Sequence, residues 1–135
     1  MYQLINYKPE KYSVMKIKNL LIVILLLIPT ITFAGDIFGT ISFDNGKPCV
    51  KSTIKITDNA GTVIKTLTTD ESGYFSTKIS QEGKYNLILE FNPEGNPLLP
   101  KQVVEAKVNS NATSTGYKFF IQKQKDNTWK LMTQK

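Results

Sequence analysis

From Gly35 onward, apolar and polar residues alternate in short runs broken by turn residues about every eight to twelve positions, a period of two that predicts strands. No stretch there keeps a helical period of useful length. Ile37, Ile41 and Phe43 fall on one face of a first strand, which Asp44-Asn45-Gly46 closes with residues that tolerate positive φ. Ile54 and Ile56 mark a second strand. Asp58-Asn59-Ala60-Gly61 turns the chain into a third at 62–69, and Asp70-Glu71-Ser72-Gly73 turns it into a fourth at 74–79. After Glu82-Gly83 the alternation is clearest, with Tyr85, Leu87, Leu89 and Phe91 on one face and Asn86, Ile88 and Glu90 on the other.

Residues 92–100 hold Pro93, Gly95, Pro97 and Pro100, so they cannot donate a regular ladder and form a loop long enough to be a candidate binding loop. A strand at 102–108 follows. The last two strands, 117–124 and 128–133, form a hairpin around Lys125-Asp126-Asn127, with Asn127 suited to a left-handed position. Counting through that loop sets Ile121 opposite Leu131, Lys123 opposite Trp129 and Phe120 opposite Met132. The expected fold is all-β, a seven- to eight-stranded antiparallel β-sandwich.

Upstream the pattern changes. Met15-Lys16-Ile17-Lys18-Asn19 is a short basic start, residues 20–28 are an unbroken apolar run, and Thr32-Phe33-Ala34 ends in a small residue. This reads as a signal peptide at 15–34, cleaved after Ala34, against the competing reading of an uncleaved anchor. A single sandwich domain at 35–135 is expected to follow, with residues 1–14 an upstream extension from a misassigned start. The product is expected to be exported, periplasmic or extracellular, and to meet the membrane only during export.

Export changes the charge: removing Lys8, Lys11, Lys16, Lys18 and Glu10 lowers the net charge from +6 to +3. All 17 basic residues are Lys, and the chain has neither Arg nor His. No nucleic-acid partner is expected, because Arg is missing for base edges and the lysines, Lys118, Lys123, Lys125 and Lys130 among them, are spread out. They suit solvated strand faces and blunted sheet edges. Without His there is no Ser/His/Asp or Cys/His arrangement and no His-ligated zinc. Cys49 is the single cysteine, so no intramolecular disulfide forms, and it reads as a small packed residue or as half of an intermolecular disulfide. Asp44, Asp58, Asp70 and Glu71 lie in turns, where isolated acids ordinarily accept bonds from their own backbone, and their spacing is not that of a calcium loop. No cofactor or metal site is expected.

Gly39-Thr40-Ile41, Asn45-Gly46-Lys47-Pro48, Ile54-Lys55-Ile56, Thr69-Asp70-Glu71-Ser72-Gly73-Tyr74-Phe75 and Gly83-Lys84-Tyr85-Asn86-Leu87 together resemble the carboxypeptidase regulatory-like domains. That family shares a prealbumin-like β-sandwich with transthyretin, starch-binding-like domains and adhesin B repeats. In the shared stretch Asp70 can cap its own turn, Gly73 supplies backbone freedom and Phe75 enters the core. The resemblance implies a fold more than a function. Adhesin repeats carry a Lys-to-Asn isopeptide bond, but here no Lys falls between Asp36 and Asp44 and Glu90 points away from the core. Transthyretin-related hydrolases use His and Arg, and the carboxypeptidase needs a separate zinc domain.

These comparisons imply a non-enzymatic module acting by protein-protein contact with an envelope or extracellular partner, or by self-association. The candidate interaction face is Phe38, Ile88, Phe120 and Met132, expected to gather outward on one sheet. The alternative is carbohydrate binding of the starch-binding-like type, with Tyr74, Tyr117 and Trp129 as aromatic platforms.

Overall fold

A computed structural model describes residues 35–134. The expected upstream extension at 1–14 and signal peptide at 15–34 lie outside the described residues. Eight strands follow in order: β1 (Asp36–Phe43), β2 (Thr53–Thr57), β3 (Val63–Thr68), β4 (Tyr74–Lys78), β5 (Gly83–Phe91), β6 (Gln102–Ser110), β7 (Thr115–Lys123) and β8 (Trp129–Thr133). They form two four-stranded sheets, β4-β1-β7-β8 and β3-β2-β5-β6.

Alternation builds each strand and its buried face builds the core. Ile37, Ile41 and Phe43 of β1 meet Ile54 and Ile56 of β2 and Leu87, Leu89 and Phe91 of β5 in one continuous cluster. Each such side chain contributes about 1.5–3 kcal/mol when fully buried. Phe75, 2% exposed, stacks on Phe119 at 6.4 Å between centroids, joining β4 to β7 across β1.

One expectation is corrected. The sandwich is not wholly antiparallel, because β7 pairs with β1 in parallel, from Ile37 against Thr115 to Phe43 against Ile121. Strand β4 occupies one edge of β1, and the short connection after β6 carries the chain across to the other. The second sheet is antiparallel throughout. The terminal hairpin has the expected register, Phe120 against Met132, Ile121 against Leu131 and Lys123 against Trp129, with Asn127 at φ 67°.

This topology gathers four connections at one end of the sandwich: β1–β2, β3–β4, β5–β6 and β7–β8. Lys51, Glu94 and Asn127, the described non-glycine residues at positive φ, all lie in these connections.

Candidate functional site

The β1–β2 connection is tied down link by link. Gly46 N–H donates to Phe43 O at 2.9 Å, Phe43 N–H to Lys47 O at 2.8 Å, and Cys49 N–H to Ile41 O at 2.9 Å. The chain then meets Thr69, which is 2% exposed. Its hydroxyl donates to Cys49 O at 2.7 Å and accepts from Ser52 N–H at 2.9 Å, while Lys51 N–H donates to Thr69 O at 3.1 Å. Both neighbours of the Val50-Lys51 step are thus anchored to one buried residue, and Lys51 is held between them at φ 52°. Its side chain is 75% exposed.

The β5–β6 connection opens with a tight turn. Gly95 N–H donates to Asn92 O at 3.0 Å around Pro93 and Glu94, and Asn96 N–H donates to Pro93 O at 3.0 Å. Two overlapping turns need left-handed backbone at both Glu94 (φ 57°, ψ 16°) and Gly95 (φ 70°). Glycine fills only the second position. A charged residue therefore occupies a place that favours glycine, at a cost of about 1–2 kcal/mol.

These two connections enclose a cleft of about 330 Å³, lined by Asn45, Lys47, Lys51, Asn92 and Glu94, with Phe43, Cys49 and Ser52 also in its wall. Strained non-glycine backbone is characteristic of functional sites. Here two of the three such residues face one cavity. A second cavity, about 290 Å³, lies at the opposite end beside Asp58, Lys65, Gln81 and Tyr85. Two of its polar groups are already spent: Asp58 Oδ1 accepts from Ala60 N–H and Thr62 N–H at 2.9 Å each, and Tyr85 Oη donates to Gln81 O at 2.8 Å.

Cys49 is 1% exposed, with its Sγ 3.1 Å from Ser52 Oγ. Burial pushes the thiol up from its ordinary pKa, against a smaller opposing effect of the Ser52 hydrogen bond. A buried, protonated thiol is neither a ready nucleophile nor placed for an intermolecular disulfide. The charged groups lining the cleft are the Glu94 carboxylate and the ammoniums of Lys47 and Lys51.

Three of the four residues expected to form one interaction face share a sheet face, and the fourth does not. Phe38, Phe120 and Met132 lie half-buried on the outer face of the β4-β1-β7-β8 sheet, where the Phe38 ring covers Gly116. Ile88 lies on the outer face of the other sheet, between Lys55 and Glu105. Outward positions of two stacked sheets point in opposite directions, so alternation alone cannot unite them. The expected sugar platforms separate as well. Tyr74 is 41% exposed on an edge strand. Tyr117 instead packs on the core, stacked on Phe119 at 5.3 Å with its hydroxyl accepting from Asn109 N–H at 2.7 Å. Trp129 sits edge-on to Phe91 at 5.6 Å, with Lys123 Nζ 5.7 Å from its ring centroid.

Lys51 and Glu94 were not among the expected site residues, although the 92–100 loop that carries Glu94 was singled out by length. Asn92-Pro93-Glu94-Gly95 marks a tight turn in the sequence, but Gly95 satisfies its need for backbone freedom, so no local signal singles out Glu94.

No protein family and no curated relative matches the sequence. Among solved structures the chain is similar to 5-hydroxyisourate hydrolase of Klebsiella pneumoniae, at 15% identity and a TM-score of 0.50, over 75% of this chain and 94% of that one. It is also similar to (S)-allantoin synthase, at 12% identity and a TM-score of 0.51, over 96% of this chain and 56% of that one. The chain thus spans little more than half of the synthase. At these identities the likeness shows the fold, a prealbumin-like, transthyretin-like sandwich.

Both neighbours are named for catalysed reactions, and this corrects the step from fold to inactivity. The expectation of a non-enzymatic contact module, with sugar binding as its alternative, does not stand. The physical reason is that a sandwich of this kind fixes a core and leaves its strand-end connections free to carry chemistry.

Proposed function

We propose that the chain is a small-molecule domain on the prealbumin-like scaffold, whose site is the cleft between the β1–β2 and β5–β6 connections. The observation that carries this reading is the convergence of Lys51 and Glu94, each held at positive φ, on one cavity. Strain of this kind persists where the surrounding structure over-determines it, and Thr69 and the Asn92–Asn96 turns supply that restraint. Their hydrogen bonds fix the backbone that carries the charged groups, so binding orders the side chains and not the connections themselves. In the same reading the chain is a carboxypeptidase regulatory-like domain, supported by the Asp70 turn: Asp70 Oδ1 accepts from Ser72 N–H and Tyr74 N–H at 2.9 Å each and from Ser72 Oγ–H at 2.8 Å.

The test is a fragment screen on ¹⁵N-labelled protein, using small organic acids, amines and neutral polar molecules. The expected result is a set of compounds whose amide shifts cluster at 45–52 and 92–96. Hits clustering at 58–65 and 79–85, or no cluster at all, would overturn the assignment. Each hit is then followed over time by proton NMR, so that turnover appears as new product resonances.

A further inference from the structure

The two walls of the cleft carry opposite charge: the β1–β2 connection supplies the ammoniums of Lys47 and Lys51, and the β5–β6 connection supplies the carboxylate of Glu94. Among the described residues no ion pair joins the walls. Lys51 reaches instead to Glu71 of the β3–β4 connection, with Nζ to Oε1 at 3.2 Å, and Glu71 does not line the cleft. Both partners of that pair are more than 70% exposed, so solvent screens it and it yields readily to a competing anion. Glu94 has no such counter-charge, although its backbone is held in an unfavourable conformation that sets it in the cleft wall.

We propose that the cleft selects a small zwitterion of amino-acid-like chemistry, whose carboxylate takes Lys51 from Glu71 and whose ammonium is held by Glu94. This rests on the small-molecule reading and names the ligand class for the same site. Opposite charges on opposite walls discriminate by pairing both ends at once, because a simple anion leaves Glu94 unanswered and a simple amine leaves Lys51 on Glu71 and gains nothing from that wall. The half-buried amide of Asn92 and the exposed amide of Asn45 add neutral donors and acceptors at the same rim. The size fits: about 330 Å³ corresponds to roughly ten waters at about 30 Å³ each, room for one small molecule. Glu71 acts as a built-in stand-in for the ligand carboxylate, neutralising Lys51 when the cleft is empty.

The experiment compares 4-aminobutyrate with butyrate and butylamine by amide shifts at low salt, on wild type, Glu94→Gln and Glu71→Gln. Both substitutions are on exposed connections, and unchanged shifts elsewhere in the spectrum establish that each variant is folded. In wild type, 4-aminobutyrate should have a midpoint about twofold to fivefold below either single-charge probe, the worth of one exposed ion pair. Glu94→Gln should erase its advantage over butyrate, and Glu71→Gln should tighten it by a similar factor. Equal midpoints for butyrate and 4-aminobutyrate, an advantage that survives Glu94→Gln, or weaker binding in Glu71→Gln would each overturn the proposal while the cleft remains a binding site. If none of the three moves the cleft amides but another fragment class does, this inference falls and the small-molecule reading stands. If no compound moves them, both fall.

Discussion

The strain at Lys51 and Glu94 makes a prediction opposite in sign to the usual effect of glycine. Placing Gly in a loop ordinarily destabilises, because the unfolded chain gains about 0.5–1 kcal/mol of conformational freedom. At φ 52° and φ 57° the native backbone instead penalises any residue with a Cβ, by about 1–2 kcal/mol. The difference leaves Glu94→Gly more stable than wild type by roughly 0.5–1 kcal/mol, and Lys51→Gly by that amount less the worth of its exposed pair with Glu71. The control is alanine. Glu94→Ala removes the carboxylate but keeps the strain, and Lys51→Ala also gives up the exposed pair with Glu71, worth about 0–1 kcal/mol.

The assay is urea unfolding of both Gly variants, both Ala variants and the double Gly variant. With a slope of about 1–3 kcal/mol/M, each Gly variant should unfold at a midpoint roughly 0.2–1 M above its Ala counterpart. The residues lie on separate connections, so the double variant should add the two effects to within about 0.5 kcal/mol. Gly variants no more stable than their Ala counterparts would refute the argument, because the left-handed conformation would then carry no cost. The same variants should bind fragments less well than wild type, which is the trade between stability and function that a strained site implies.

Three further outcomes follow from individual residues. Gly73→Ala should cost about 2–4 kcal/mol in the same urea assay, since Gly73 has φ 75° and a Cβ there would collide with Ile41 O; a loss below about 1 kcal/mol would contradict that geometry. Cys49 should react with a thiol reagent only as the domain opens, and its raised pKa should keep native labelling slow even near pH 8.5, the usual range for thiol ionisation; rapid stoichiometric labelling of folded protein would show the thiol is accessible. Asp70 is held below the ordinary carboxylate range by hydrogen bonds from Tyr74 N–H, the Ser72 hydroxyl and Ser72 N–H, so its stabilisation is complete above the unfolded pKa and is lost as pH falls through the folded one. Stability should therefore drop more steeply below about pH 4 in wild type than in Asp70→Asn, and parallel pH profiles would refute the assignment.

What the sequence reveals and what it hides follow from the range of the interactions involved. Tyr85, Leu87, Leu89 and Phe91 announce β5 because burial on a strand has period two, and all four are buried. The β7–β8 register can be counted because a three-residue loop with Asn127 left-handed fixes which residues face each other. The Asp70 turn is equally legible, since the Asp70 carboxylate accepts from Ser72 and Tyr74, within four residues, and Gly73 N–H closes the same turn on Asp70 O. The parallel pairing of β1 with β7 has no such local mark. Thr115 meets Ile37 only because the chain crosses between sheets after β6, and nothing in either strand names its neighbour. The division of Ile88 from Phe38, Phe120 and Met132 has the same origin, because alternation separates inward from outward without saying which sheet a strand joins. The cleft lies between these cases. Loop length marks one wall, but Gly95 alone would explain the turn after Pro93, so the second left-handed residue is concealed. Lys51 is hidden more deeply, because its conformation is imposed by Thr69, 18 positions further along the chain. A site made by the meeting of two connections is legible only one wall at a time. Its charges gain meaning together once the fold has brought Lys51 and Glu94 to the same cavity.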